Sequence, residues 1–309
     1  MRWLLALLPL FGFGCANLQP AEAPVHRWDE VHLFGVTALA FSPDGKRLAS
    51  GGHRGDLALF DLASRERLAQ AAGAGEPIRA LVFLDGSLYS ADALGITRWR
   101  AHDLGQLAQR NSAAVAGLVT SGGALYSAHG DGQLRAWQPD LTPIRSIRAG
   151  EKLIAIASHG EQLAVASSDG EVKLYDRRLD QIREMQNTGA SAHDLHFSAD
   201  GRRLFGGGWF RLLVWDVASG AATSLPAEHN GLLTSLDVSR DRARIATVGR
   251  HTDSAIRVWR ADNLALERRL AAHELCGAMI RFSPDGRFIA SASDDESIAL
   301  FDLSRAPLP

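Results

Sequence analysis

FSPDGKRLASGGHRGDLALFD at residues 41–61 and FSPDGRFIASASDDESIALFD at residues 282–302 are two copies of one pattern. Each opens on Phe, turns on Asp-Gly, runs through a short apolar stretch that ends in small residues, and closes on a second apolar stretch ending in Phe-Asp. Asp-Gly tolerates the left-handed backbone of a tight hairpin. The flanking runs are of strand length and apolar at nearly every position, as expected of strands covered on both faces. Weaker copies fill the interval. The closing aromatic is Phe60, Trp99, Trp137, Tyr175, Trp215, Trp259 and Phe301, at spacings of 39, 38, 38, 40, 44 and 42 residues. That period, with strand-turn-strand content, is the period of four-stranded blades set around an axis.

FSPDG and the closing Trp215-Asp216 resemble the WD-repeat β-propellers, and so does a histidine placed nine residues before the turn in three units. These are His32 before Phe41, His229 before Val238 and His273 before Phe282, and the resemblance covers roughly residues 25–309. It implies a structural hydrogen-bond network joining that His, the Asp of the turn between the second and third strands, a Ser or Thr of the second strand, and the Trp. His229, Thr247, Asp253 and Trp259 supply all four members in the sixth unit. Elsewhere Phe or Tyr replaces Trp in three units, and the His is missing from four. The fold expected is all-β: a seven-bladed β-propeller of four-stranded antiparallel blades. Gly206-Gly207-Gly208 falls where the fifth unit should turn. It opens no helix, so it is read as that turn and not as a phosphate loop.

Ring closure is legible at the ends. Most closing aromatics are followed by a polar turn and a fourth run, such as Arg67 to Gln70 or Glu267 to Leu270, but after Phe301 only DLSRAPLP remains. Its prolines suit a strand poorly. VHRWDEV at 25–31 has no blade of its own, and it is expected to serve as the outer strand of the last blade, removing two unpaired edges.

The first residues are of another kind. Met1-Arg2 precedes an uncharged apolar stretch from Trp3 to Phe13, followed by Gly14-Cys15-Ala16. This is too short for a permanent bilayer span but suits a secretory signal. Cys15 after a small residue resembles the lipobox of bacterial lipoproteins, although Gly12 stands where that motif usually has Leu. The resemblance implies a signal peptide over 1–14, lipidation at Cys15, a lipidated tether over 15–24 and the propeller over 25–309. The location that follows is the bacterial periplasm, with the body anchored to the outer membrane. The alternative is a secreted or soluble periplasmic protein cut after Ala16 or near Ala23. Only Lys46, Lys152 and Lys173 are lysine among 33 basic residues, a composition that suggests a GC-rich bacterial genome.

A net charge of −2 without basic blocks gives no electrostatic footprint for nucleic acid. No close metal-ligand spacing, nucleophile elbow or Walker loop appears. No cofactor and no metal is therefore expected, and the chain reads as a non-enzymatic, monomeric scaffold for protein partners in the envelope. The polar candidates lie in the loops between second and third strands: His53, Arg54, Asp92, His129, Asp131, Asp169, His251, Asp294, Asp295 and Glu296. Trp209, Phe210 and Arg211 replace the Asp-Gly turn of the fifth unit. With His53, Arg54 and Arg250 they are the expected partner contacts, because Trp and Arg dominate binding hot spots. His32, His229 and His273, with Thr247, Asp253 and Trp259, are assigned to the structural network. The alternative function, a ligand-binding or hydrolytic propeller acting on a small molecule or glycan, requires His129, Asp131, Asp169 and His251 to converge at a channel mouth. Cys276 is expected to pack as a small hydrophobe.

Overall fold

The computed structural model describes residues 21–241, 243–250, 254–271 and 273–306. The signal stretch, Cys15, His251 and Asp253 lie outside the described residues. Within them the chain forms seven four-stranded antiparallel sheets. The inner strands are Val36–Phe41, Ala80–Leu84, Val115–Ser121, Leu153–His159, Asp194–Phe197, Leu233–Val238 and Gly277–Phe282. Each touches the inner strand of the next sheet, and the last touches the first, so the sheets are blades around a central channel.

Local chemistry sets each hairpin. In blade 1 the Ser42 hydroxyl donates to Asp44 Oδ1 at 2.6 Å and accepts from the Arg47 amide at 3.0 Å, while Asp44 Oδ1 accepts from the Lys46 amide at 3.1 Å. Gly45 then takes φ +68°, a conformation that costs glycine little. Ser283, Asp285 and Gly286 repeat the turn in blade 7. The turns between third and outer strands are less conventional. Leu104, Leu141, Leu179 and Leu264 adopt φ between +58° and +69°, which is strained for leucine. The first three of these side chains are buried, and that burial offsets the strain.

Neighbouring blades share their cores. Leu39, Leu48 and Phe60 of blade 1 pack with Ala290, Ile298 and Leu300 of blade 7 in a single cluster. The closing aromatics lie within these seams, so removing one loosens two blades together.

The N-terminal strand His26–Trp28 pairs antiparallel with Ile298–Asp302, His26 facing Leu300 and Trp28 facing Ile298. Closure by the N-terminal strand is thus as expected, and it reaches further than expected. The Trp28 ring lies 5.0 Å from that of Phe60, and its Nε1 donates to the Arg65 carbonyl at 2.8 Å, so the same residue seals blade 7 to blade 1. Upstream, Glu22 makes a parallel bridge to Leu270 on the outer strand of blade 6. Buried Arg268 binds the Glu22 carboxylate at 3.1 Å and the carbonyls of Leu303 and Arg305 at 3.0 and 2.7 Å, holding both ends of the described chain. Glu22, which falls in the stretch 15–24 expected as a tether, is thus bonded to the outer strand of blade 6.

Gly206 and Gly207 depart from the expected turn. They lie in the second strand of blade 5, Arg203–Gly207, and not in its turn. A Cβ on Gly206 would meet the Trp215 ring at 2.9 Å and one on Gly207 would meet Leu233 at 3.0 Å. The glycines are there to let a large ring and a neighbouring blade approach.

Trp28→Ala is expected to cost about 3–5 kcal/mol, as for large-to-small changes at buried aromatics, and to leave a species that self-associates through its opened edge. Urea denaturation and sedimentation check both. A monomer of unchanged stability would show that the N-terminal strand does not hold the ring.

Candidate functional site

The histidines separate into two groups. In blade 6, Thr247 Oγ1 accepts from Trp259 Nε1 at 2.9 Å and lies 2.9 Å from His229 Nε2. Arg257, itself buried, donates to His229 Nδ1 at 2.8 Å, so Nε2 carries the proton and donates to Thr247. Asp253, the fourth member expected here, lies outside the described residues. In blade 1, His32 bridges Asp56 Oδ2 at 2.5 Å and Ser50 Oγ at 2.7 Å, and Phe60 stands where the Trp would donate. In blade 7, His273 lies 2.9 Å from Ser291 Oγ and 3.4 Å from Asp295. That carboxyl is driven well below the usual range: burial opposes ionisation, but the bonds from His273 and Ser297 outweigh it.

Blade 3 rebuilds the same network from another chain position. His129, at the end of the second strand, places Nε2 at 2.7 Å from Ser127 Oγ and Nδ1 at 2.9 Å from the Ala113 carbonyl, while Trp137 donates to that serine at 2.7 Å. Burial pushes the imidazole down to about 4, so it is neutral. Asp131 closes its turn on the Gln133 amide and pairs with Arg135, and Asp169 binds Ser167 and the Glu171 amide. His129, Asp131 and Asp169 therefore serve their own turns and do not converge. Asp92 likewise caps the Leu94 and Gly95 amides.

The polar groups that do converge lie on the inner strands, and sequence reading passed over most of them. A channel of about 590 Å³ is lined by residues from all seven blades. Blades 1 to 4 give it an apolar wall that includes Val82, Val119, Ile154 and Ile156. Blades 5 to 7 give it charge. His196 Nδ1 lies 3.1 Å from Asp237 Oδ1 and Nε2 lies 3.6 Å from Asp194 Oδ1. Asp194 also accepts from Ser235 Oγ and the Leu236 amide of the next blade, at 2.9 and 3.1 Å, and Asp237 accepts from the Phe282 amide at 2.7 Å. Arg281 donates to Ser235 Oγ at 3.0 Å and stands 3.8 Å from Asp194. Burial disfavours charge on His196, but Asp194 and Asp237 outweigh it and push its pKa up to about 9. Reciprocally, His196 and Arg281 overcome burial and hold Asp194 at about 2. The cluster laces three inner strands together. Its signal in the sequence was a charged residue just before the turn-entry position, where blades 1 and 2 have Ala40 and Val82.

At the upper mouth, on the face of the loops between second and third strands, Arg250 pairs with Asp294, and His53 Nε2 lies 3.8 Å from the same carboxylate. These expected contact residues share the channel entrance, whereas Arg54 points into a separate cleft with Glu30 and Asp56. Trp209 and Phe210 stand on the same face, 48% and 55% exposed, with ring centroids 5.9 Å apart. Arg211 begins a strand and folds back on Ser224. Glu296 accepts from the Phe34 amide at 2.9 Å. Cys276 is half-buried. Among the described residues no group of three or more His, Cys, Asp or Glu is placed to hold a metal ion.

Residues 24–61 and 267–302 match the WD domain, G-beta repeat. Each stretch spans one outer strand and the first three strands of the next blade, so the sequence repeat is offset by one strand from the structural blade. The nuclear distribution protein nudF of Aspergillus niger is 24% identical over 307 residues, covering 89% of this chain and 61% of that protein. The cell division cycle 20.1 protein, cofactor of APC complex, of Arabidopsis thaliana is 20% identical over 283 residues, covering 88% and 55%. Human apoptotic protease-activating factor 1 is 22% identical over 155 residues, covering 50% and 12%. The chain thus spans 61% or less of the length of these relatives.

Thr247→Val keeps the shape but removes the oxygen shared by Trp259 and His229, and is expected to cost about 2–3 kcal/mol because two buried donors lose their partner. Ser50→Ala in blade 1, where no Trp donates, should cost less; equal losses in urea melts would show that the Trp bond contributes nothing. The channel cluster predicts a pH profile. The folded pKa of His196, near 9, lies above its ordinary 6.5, so its stabilisation is complete below pH 6.5 and is lost as pH rises through 9. The melting temperature should fall across that window, and His196→Gln should flatten the fall; superimposable profiles would exclude the cluster as a brace.

Proposed function

We propose that this propeller with WD-type repeats is a non-enzymatic scaffold of the bacterial cell envelope, which binds a protein partner on the face bearing Phe34, Trp209 and Phe210. A lipid on Cys15 ties it to the outer membrane, with the ring in the periplasm. The observation that carries the choice of face is a coincidence of exposure and strain. Phe34 and Phe210 are 65% and 55% exposed, and both hold a left-handed backbone, at φ +70° and +58°. Such a conformation costs a bulky residue on the order of 1–3 kcal/mol and persists only where the surroundings impose it. At Phe210 the amide donates to the Gly231 carbonyl at 2.8 Å and the carbonyl accepts from the Ala227 amide at 3.1 Å. The ring is thereby presented on a fixed backbone, which lowers the entropy lost on binding.

Leu33, Leu94 and Leu275 are exposed in loops of the same face, and a surface rich in apolar side chains marks an interaction site more often than a catalytic one. The anchor is supported by the signal-like start and by spacing. Glu22 is fixed against the outer strand of blade 6, seven residues after Cys15, so a lipid there would hold the ring by its edge on a leash of at most about 25 Å. The loop face would stay open to solution.

The test uses the full-length chain in bacterial membranes. Intact mass should show a diacylated or triacylated species beginning at Cys15, lost in Cys15→Ser. Crosslinking should capture an envelope protein that Trp209→Ala and Phe210→Ala each lose without a change in melting temperature. A soluble, unacylated chain would remove the anchor, and capture indifferent to both variants would remove the face.

A further inference from the structure

The geometry points to a ligand site inside the channel, for a small organic anion with an apolar body such as an aliphatic or aromatic carboxylate. This goes beyond the scaffold reading and does not depend on it. Three observations converge. The first is size and shape: about 590 Å³ lies within the range of small-molecule pockets, roughly 300–1,000 Å³, and most of the lining comes from the inner strands, with loop residues such as Arg79, Lys152, Arg250 and Asp294 at the mouth.

The second is charge. Arg79, Lys152, Arg250, Arg281 and protonated His196 face the channel, against the carboxylates Asp194, Asp237 and Asp294. Among the described residues the channel therefore carries an excess of positive charge, in a chain whose net charge is −2. A cleft lined by one sign of charge concentrates ions of the other. Asp194 and Asp237 are already engaged by His196 and by backbone amides, and Arg250 by Asp294. Arg79 and Lys152 stand just ahead of the inner strands of blades 2 and 4 and are exposed. Neither side chain makes an ion pair with a described residue.

The third is polarity across the channel. Beneath Arg79 and Lys152 the wall is Val82, Val119, Ile154 and Ile156, with no charged side chain among them. A carboxylate held at the mouth by Arg79 and Lys152 would lay its apolar body along this wall, away from the charged side formed by blades 5 to 7. Apolar walls with a few placed charges are the common architecture of small-molecule sites.

The experiment is calorimetric titration of the purified full-length chain with sodium decanoate. 1-Decanol supplies the body without the charge, and inorganic phosphate the charge without the body. Decanoate should saturate one site. Both controls should bind at least about tenfold more weakly, and Arg79→Gln with Lys152→Gln should weaken decanoate by at least about tenfold, the loss expected for two charge-assisted contacts. Both residues are exposed, so that double variant should keep the melting temperature. Ala116→Leu, which fills the channel, should also reduce binding, while Trp209→Ala should not. No saturable decanoate binding, equal binding of decanol, or affinity untouched by the double variant would overturn the site. Binding lost in Trp209→Ala alone would assign it to the outer face and likewise overturn it. None of these outcomes bears on partner capture.

Discussion

A blade of this protein has no stable existence alone, because each small sheet is apolar on both faces and must be covered on both sides. The ring satisfies that demand only when it is closed, and closure rests on the three residues His26–Trp28 that complete the last sheet. Trp28 extends the seal into blade 1 through Phe60 and the Arg65 carbonyl. Arg268 adds an electrostatic knot, binding Glu22 from one end of the chain and the carbonyls of Leu303 and Arg305 from the other. A buried guanidinium is costly unless well partnered, and here its partners come from both termini. The bond to Glu22 forms only if the ring is shut.

The seven blades are unequal within this frame. Ser50, Ser90, Ser127, Thr247 and Ser291 occupy one position of the second strand, and each is hydrogen-bonded to a Trp, a His or both. Blades 4 and 5 have Val165 and Gly206 there, and Trp215 turns instead to the Gln186 carbonyl at 2.9 Å. The inner-strand cluster of Asp194, His196, Asp237 and Arg281 begins in blade 5, so cross-blade bonds at the channel wall stand where the outer network is missing. Blade 5 also carries Trp209 and Phe210. Blade 5 thus supplies Asp194 and His196 to the channel cluster and the exposed aromatic pair to the loop face.

The two surfaces proposed for recognition belong to one architecture. The loop face presents large apolar side chains on fixed, strained backbone, suited to a macromolecular partner. The channel behind it is narrow, cationic at its mouth and apolar along one wall, suited to something small. They are reached from the same side, and the Arg250–Asp294 pair stands at the entrance between them.

The sequence by itself determined the number of blades, the hairpins and the closing strand. The turns and the repeat depend on residues near in sequence: FSPDG makes its turn from its own Ser and Asp, and the aromatics recur at a blade-length period, while the run at residues 26–28 stands outside the repeats. It also located His229, Thr247 and Trp259 as one network, since the repeat carries their spacing. Tertiary structure alone decided the rest. His129 took a structural role because burial against Trp137 and Ser127 fixed its ring, although its position matches no other histidine in the repeat. Gly206 and Gly207 are strand residues because Trp215 and Leu233 come from across the sheet and the next blade to press on them. Asp194, His196, Asp237 and Arg281 became a site only when three inner strands, separated by some forty residues each, were brought side by side. Hydrogen bonds within a turn are written in contiguous residues, whereas charge accumulated around an axis is a property of the closed ring.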